Sequence, residues 1–273
     1  MSDIPLCPIF LISFNRSFML EYVVEGIRKL GDYPIIIHDN GSTDKKTIET
    51  LTKLENQPNI TVNRFEKINS ADDLVNVNRS ISLYFTNHPQ SDYVVSDCDI
   101  DIRNFRSDWL KVYRYLLEKY PSLESVACML RIRDVRHRYE GRVRMMNRFI
   151  REFWGRMPVI EDLPPGFEVK QVAYLHGKVD TTFALHRAGS TFRRLTKTMR
   201  VYAPYEGIHM DWYPKFASYH NSNVNNISHW GNKKYIDFHK PLSKMENQFY
   251  WDIKVQEDNT LAIVKRDTSK VYP

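Results

Sequence analysis

Cysteine is scarce in this chain and scattered: Cys7, Cys98 and Cys128 are the only three in 273 residues. An odd number at such distances forms neither a disulfide framework nor a CxxC metal pair. Cys98 stands between two aspartates, whose charge disfavours a thiolate, so it reads as a small strand residue rather than a nucleophile. Long apolar runs are missing too, and none approaches the roughly 20 residues that a membrane-spanning helix needs. Asp3 precedes the first short apolar run, without the basic start or small-residue cleavage site of a secretory signal. These absences predict a soluble chain in a cytoplasmic compartment. Repeats and low-complexity tracts are absent. With 16 Tyr, 14 Phe and a hydrophobic fraction of 42%, the chain can bury one large core, and extended disorder is excluded.

What is present is alternation. Pro8-Ile9-Phe10-Leu11-Ile12-Ser13 is a continuous apolar run, the pattern of a strand buried on both faces. Leu20, Val23, Val24, Ile27 and Leu30 follow at helical spacing after Ser17, and Gly31 ends the helix. Tyr33-Pro34-Ile35-Ile36-Ile37-His38 predicts a second strand and Asp39-Asn40-Gly41-Ser42 a turn, with Ser42 or Asp44 capping a helix that reaches Leu54. A weaker strand covers residues 61–65, a helix 71–85, and a strand at 92–96 runs straight into a group of acids. This spacing predicts an α/β fold with a mostly parallel, doubly wound sheet, whose ligands bind outside the carboxyl ends of the strands. The second half is less regular. It suggests a helix at 108–120, a strand at 126–132, a helix at 139–154, and an antiparallel pair, 172–176 with 181–186, joined through Gly177-Lys178. A hairpin at 249–264 follows.

The net charge of +6 is unevenly spread. Nine arginines fall between Arg131 and Arg156, against Asp134, Glu140 and Glu152 as the only acids. Such a zone implies an anionic partner, whether phosphate, membrane surface or nucleic acid, or else a solvated helix face. Val143, Met146, Phe149, Ile150, Phe153 and Trp154 gather near one side of this helix. That suits a packed helix with a wet basic face, and also allows peripheral membrane contact through the basic helix at 139–156.

The acids carry the most specific chemistry. On an extended segment Asp97, Asp99 and Asp101 share one face. Like charges at that spacing repel unless a cation or basic group neutralises them. Oxygen ligands suit a hard ion, Mg2+ or Mn2+, with water and phosphate completing its shell. A buried strand delivering acids at its own carboxyl end is a stronger signal than a bare D-x-D.

Phe10-Leu11-Ile12-Ser13-Phe14-Asn15-Arg16 resembles the opening strand and loop of family-2-like GT-A glycosyltransferases of the bacterial and viral type. His38-Asp39-Asn40-Gly41-Ser42-Thr43-Asp44 is similar to their second turn, and Asp97-Cys98-Asp99 to their D-x-D motif. The likeness covers about the first 105 residues. It thins to Val179-Asp180-Thr181-Thr182-Phe183 and His209-Met210-Asp211-Trp212-Tyr213 thereafter. It implies a single GT-A, Rossmann-like domain with a mixed acceptor-side sub-region: a nucleotide-sugar half at 1–105, then an acceptor half and C-terminal extension at 106–273. It also implies roles. Asp39 would accept the N3–H of a uracil. Asn15 and Arg16 would reach ribose and diphosphate, since guanidinium matches phosphate oxygens well, and Arg79 would approach the nucleotide. Asp97 would touch ribose or metal and Asp99 would ligate Mn2+ or Mg2+, with Asp101 as a further or indirect ligand. His209 is the expected late ligand, with His229 behind it. Asp180 and Asp211 are the expected catalytic carboxylates, with Glu206 as a third. The implied partners are a nucleotide sugar, a UDP-sugar above all, and a glycan, glycoprotein or lipid-linked acceptor.

Three other functions compete. Nucleotidyl transfer to a sugar phosphate uses similar sheets and acids, but begins with a glycine-rich basic loop that Ser13-Phe14-Asn15-Arg16 lacks. A nucleic-acid-binding module on the basic zone would leave the acids at 97–101 without purpose and repelling the ligand, so no nucleic-acid partner is expected. A non-catalytic sugar-binding domain would have no need of acids placed for a metal and phosphate.

Overall fold

A computed structural model of the protein describes residues 7–66, 76–135, 142–194, 196–212 and 245–268, the side chains of Arg142, Arg144 and Asp211 excepted. The first half alternates as its periodicity demands: β1 Ile9–Ser13, α1 Ser17–Leu30, β2 Ile35–Asp39, α2 Lys45–Glu55, β3 Ile60–Arg64, α3 Val77–Asn87 and β4 Tyr93–Asp97. β1 and β2 each open on an apolar run, Ile9 to Ile12 and Ile35 to Ile37, because both faces are covered there, and turn polar at their carboxyl ends. Ile9, Leu11, Ile35 and Ile37 pack with Leu20, Val23 and Ile27 of α1, while Phe10, Ile12 and Ile36 pack with Val77 and Ile81 of α3. Asp44 caps α2, its carboxylate accepting the Thr47 amide at 2.9 Å. That accepted bond fixes where the helix begins.

Next come β5 Ile100–Asp101, α4 Trp109–Lys119, β6 Ser125–Cys128 and α5 Arg142–Phe149, which runs into a π-helical turn at Ile150–Trp154. β7 Val159–Asp162, β8 Gln171–Val179, β9 Ala184–His186, β10 Thr196–Val201 and β11 Ile208–His209 follow, then a 3-10 turn at Met210–Trp212 and a hairpin of β12 Phe249–Val255 and β13 Leu261–Asp267. Nine strands form one sheet in the order β3-β2-β1-β4-β9-β6-β10-β8-β7. β3, β2, β1 and β4 are mutually parallel. β9 runs antiparallel between β4 and β6, and β8 antiparallel between β10 and β7. The domain is thus a mixed α/β fold around a large, mainly parallel sheet, mixed in direction on the side of β9 to β7. Strands from both halves of the chain share this sheet.

The expected antiparallel pair of 172–176 with 181–186 is not formed. β8 continues through Gly177-Lys178 as far as Val179 and pairs with β7 and β10. The glycine serves packing rather than turning: a Cβ at Gly177 would lie 2.8 Å from Cε1 of Phe153. Ala184–His186 is instead inserted between β4 and β6.

Candidate functional site

The parallel strands deliver their last residues to one edge. Ser13 is in register with Asp39, Asp39 with Arg64, and Ile12 with Asp97. The loops after β1 and β2 are then stitched together. Asn15 takes a left-handed backbone (φ 50°), which asparagine tolerates better than most residues. Its amide donates to Ser42 Oγ at 2.9 Å, and its Oδ1 accepts the amides of Thr43 and Asp44 at 2.8 and 2.9 Å. Ser42 in turn donates its amide to Asp39 Oδ2 and its hydroxyl to Asp39 Oδ1, at 2.9 and 2.5 Å. Asp39 is only 3% exposed, and burial raises its pKa against these bonds. Each carboxylate oxygen still has lone-pair capacity for a further donor. The structure therefore brings Asn15 and Asp39 together, with Asn15 as the strut between loops. Arg16 occupies the N-cap position of α1, a helix with no side-chain cap and no acid in its first turn.

The acids lie one strand further along the edge. Asp97 ends β4, and a turn at residues 98–99 separates it from β5. Thr181 grips Asp97 twice: its carbonyl accepts the Asp97 amide at 2.8 Å, and its hydroxyl donates to Asp97 Oδ2. Burial raises the Asp97 pKa well above the ordinary carboxylate value, and the neighbouring charge of Asp99 adds to the rise. β11 pairs antiparallel with β5, setting His209 opposite Ile100. The Met210 amide donates to the Asp99 carbonyl at 2.9 Å, and His209 Nε2 lies 3.9 Å from Asp99 Oδ2. Gly207 permits this approach, since a Cβ there would come 2.9 Å from Cys128 Sγ. The His209 ring is stacked on Trp212 at 4.7 Å, and its buried Nδ1 has no hydrogen-bond partner among the described residues.

The expectation that three carboxylates share one face is not met. The turn at 98–99 breaks the strand alternation, and Asp101 pairs with Arg103 instead. The amide and Nε of Arg103 donate to Asp101 Oδ1 at 3.0 and 3.1 Å, and its Nη2 donates to Oδ2 at 3.3 Å. Arg103 lies 3.3 Å over the Tyr22 ring of α1. Asp101 therefore locks the acidic loop to α1.

The remaining candidates separate. Asp180 adjoins Thr181, close enough that its charge raises the Asp97 pKa, and forms a two-point pair with Arg194 at 2.5 and 3.1 Å. Glu206 is 4% exposed and bound to Arg133, so it is enclosed rather than presented to an acceptor. Arg79 is exposed in the first turn of α3. Asp211 falls in the 3-10 turn after His209, its side chain outside the described residues, and His229 lies outside them altogether. Sequence reasoning missed the roles of Ser42 and Thr181. Both fall inside motifs it had singled out, but a hydroxyl that orients a carboxylate has no periodicity to betray it.

Among the described residues, several arginines of the basic zone are paired within the chain. Arg131 pairs with Asp134, Arg148 with Glu152, and Arg133 with both Glu206 and Asp252, while Arg156 donates to the His176 carbonyl. The apolar side of α5 and its π-helical turn is spent in the core: Met145, Met146, Phe149, Ile150, Phe153 and Trp154 are buried. Among the described residues no helix is long and apolar enough to cross a membrane.

No protein-family model matches the chain, and no curated protein sequence matches it significantly. Among solved structures it is similar to the mannosyltransferase PcManGT from Pyrobaculum calidifontis, in complex with GDP-Man and Mn2+, at 19% identity and a TM-score of 0.35. The overlap covers 49% of this chain and 38% of that one, so the chain spans well under half of that protein's length. At that level of likeness nothing about activity transfers.

Proposed function

We propose that the chain is a metal-dependent glycosyltransferase that takes a nucleoside-diphosphate sugar, a UDP-sugar in particular, and passes the sugar to a glycan, glycoprotein or lipid-linked hydroxyl. The observation that carries this reading is the shared edge where Asp97 and Asp99, His209, and the Asn15–Ser42–Asp39 lattice meet at the carboxyl ends of parallel strands. Ligands of open α/β sheets bind at that edge. The first-turn amides of α1, without a side-chain cap, offer a positive dipole end for phosphate.

The donor set fits a hard divalent cation. Two carboxylates stand close enough that the charge of Asp99 raises the proton affinity of Asp97, with an imidazole 3.9 Å from Asp99. Among the described residues no three His, Cys, Asp or Glu side chains form a metal cage. A hard ion can be held by one or two carboxylates, with substrate phosphate and water completing its shell. Asp97 and Asp99 would hold the cation with His209 beside them, and when bound it supplies charge neutralisation at the diphosphate. Asp39, held by Ser42, receives the base N–H. Thr181 fixes the rotamer of Asp97. Asp180, anchored by Arg194, accepts the hydrogen of the acceptor hydroxyl and so orients its oxygen toward the sugar. As the bond from the anomeric carbon to the phosphate oxygen breaks and its electron pair leaves with the nucleoside diphosphate, a new bond joins the anomeric carbon to the acceptor oxygen, whose proton passes to the Asp180 carboxylate. Asp211 is the second acceptor-side carboxylate.

The test is turnover with UDP-, GDP- and TDP-sugars, with and without Mn2+, following release of nucleotide. Release confined to nucleotide sugars, dependent on Mn2+ and lost in Asp99→Ala supports the reading. No turnover with any donor, or release untouched in Asp99→Ala, contradicts it.

A further inference from the structure

Arg200 is the least expected charge in the molecule. It sits inside β10, 4% exposed, and its guanidinium meets only neutral acceptors: the Lys178 carbonyl at 3.0 Å, the Cys128 carbonyl at 3.1 Å and Thr182 Oγ1 at 3.2 Å. Among the described residues no carboxylate is within ion-pair distance of it. Burial lowers its pKa to about 10, which leaves it charged at neutral pH. An apolar side chain of this length would avoid the cost of burying that charge.

The surroundings make room for the charge. In the sheet register Arg200 lies beside Ala127, and Ala127 beside Ala184. Residues in register on paired strands share a face, so two methyl groups clear the way from Arg200 toward Thr182. The Phe153 ring covers the guanidinium at 4.6 Å. Phe153 comes from the π-helical turn and reaches this place because Gly177 has no Cβ.

What Arg200 holds is the segment that grips Asp97. Thr182 is flanked by Thr181, which bonds Asp97 through carbonyl and hydroxyl, and by Phe183, whose amide donates to Ser96 Oγ at 3.2 Å. Phe183 has φ 27°, a left-handed conformation that a bulky residue adopts only when its surroundings enforce it. Cys128 reinforces the same point, its amide donating to the Phe183 carbonyl at 3.2 Å while its own carbonyl accepts from Arg200.

We propose that Arg200 is a positioning residue for the metal-and-phosphate end of the crevice, fixing the turn at 180–183 through Thr182 so that Thr181 keeps Asp97 in its ligating orientation. This rests on the metal-dependent nucleotide site proposed above. Arg200→Met keeps the volume and removes the charge and donors, Thr182→Val removes the accepting hydroxyl alone, and Arg200→Lys restores only a point charge. The full chain is studied in two ways: hydrogen exchange of segments 96–97 and 181–183, and calorimetric titration with UDP in the presence and absence of Mn2+. Arg200→Met and Thr182→Val should raise exchange selectively in those segments and weaken the Mn2+-dependent part of UDP binding about tenfold. Mn2+-independent binding should not change, and Arg200→Lys should fall between Met and wild type. Unchanged exchange at 96–97 and 181–183 in Thr182→Val overturns the proposal, even where Arg200→Met fails to fold. So does unchanged Mn2+-dependent affinity in a folded Arg200→Met. Wild-type protein that binds no UDP with Mn2+ contradicts the proposed function instead, and the exchange result alone then decides whether Arg200 holds the turn.

Discussion

Mild acid should destabilise this domain through its buried imidazoles, and His186 allows the effect to be worked out. Its ring is 2% exposed on β9, stacked on Tyr93 at 5.3 Å with Phe192 edge-on at 5.6 Å. Its Nε2 has no hydrogen-bond partner among the described residues. Burial lowers its pKa to about 4, against roughly 6.5 in an unfolded chain. Between those values the unfolded state binds the proton that the folded state refuses. Stability is therefore complete above about pH 6.5, falls as pH drops through the window, and levels off near pH 4. Over the whole window the shift amounts to roughly 3 kcal/mol, and between pH 7.5 and pH 5 to about 2 kcal/mol, a large share of a typical 5–15 kcal/mol. His38, lowered to about 4 by burial as well, adds a comparable dependence. Urea denaturation of wild type and His186→Phe at the two pH values is the assay. The variant should lose about 2 kcal/mol less than wild type on acidification. Equal losses in the two proteins would refute the claim that the fold excludes the protonated ring.

Asp252 is fully buried between Arg133 and Arg266, and Arg133 also binds Glu206. Asp252→Ala should cost about 3 kcal/mol, the low end for breaking a buried pair, because the arginines can partly reach water; a chemical melt within 1 kcal/mol of wild type would show the network to be dispensable. At Asn15 both Gly and Ala lose the bonds to Thr43 and Asp44, but only Gly adopts φ 50° freely. Asn15→Ala should therefore unfold about 1 kcal/mol more easily than Asn15→Gly, and equal midpoints would mean that the loop relaxes. At Gly177 a new Cβ meets Phe153 at 2.8 Å. Gly177→Ala should lower stability by about 1–3 kcal/mol, and a gain would show that Phe153 moves aside without loss.

The first half was legible because its physics is local. A strand covered on both faces shows a continuous apolar run, as β1 does over Ile9 to Ile12 and β2 over Ile35 to Ile37, and Asp44 announces α2 through a cap three residues from its partner. The Asp39 turn and the Asp97 cluster were visible for the same reason, since both stand where an apolar run stops. The second half depends on partners far apart in sequence. Gly177-Lys178 looked like a turn because nothing nearby reveals that Phe153 needs the space. Arg133 looked like part of a basic surface because its acids lie 73 and 119 residues away. Asp101 followed Asp97 and Asp99 in spacing, yet Arg103, two residues on, claims it. Arg200 gave no signal at all, since a single arginine in a short strand carries no pattern.

The most direct test of the central claim is calorimetric titration of UDP into wild type and Asp99→Ala, each with Mn2+ and with a chelator. The account predicts UDP binding that strengthens at least tenfold with Mn2+ in wild type and shows no response to Mn2+ in Asp99→Ala, with both proteins melting alike. Binding that ignores Mn2+ in wild type, or a full Mn2+ response in Asp99→Ala, would contradict it.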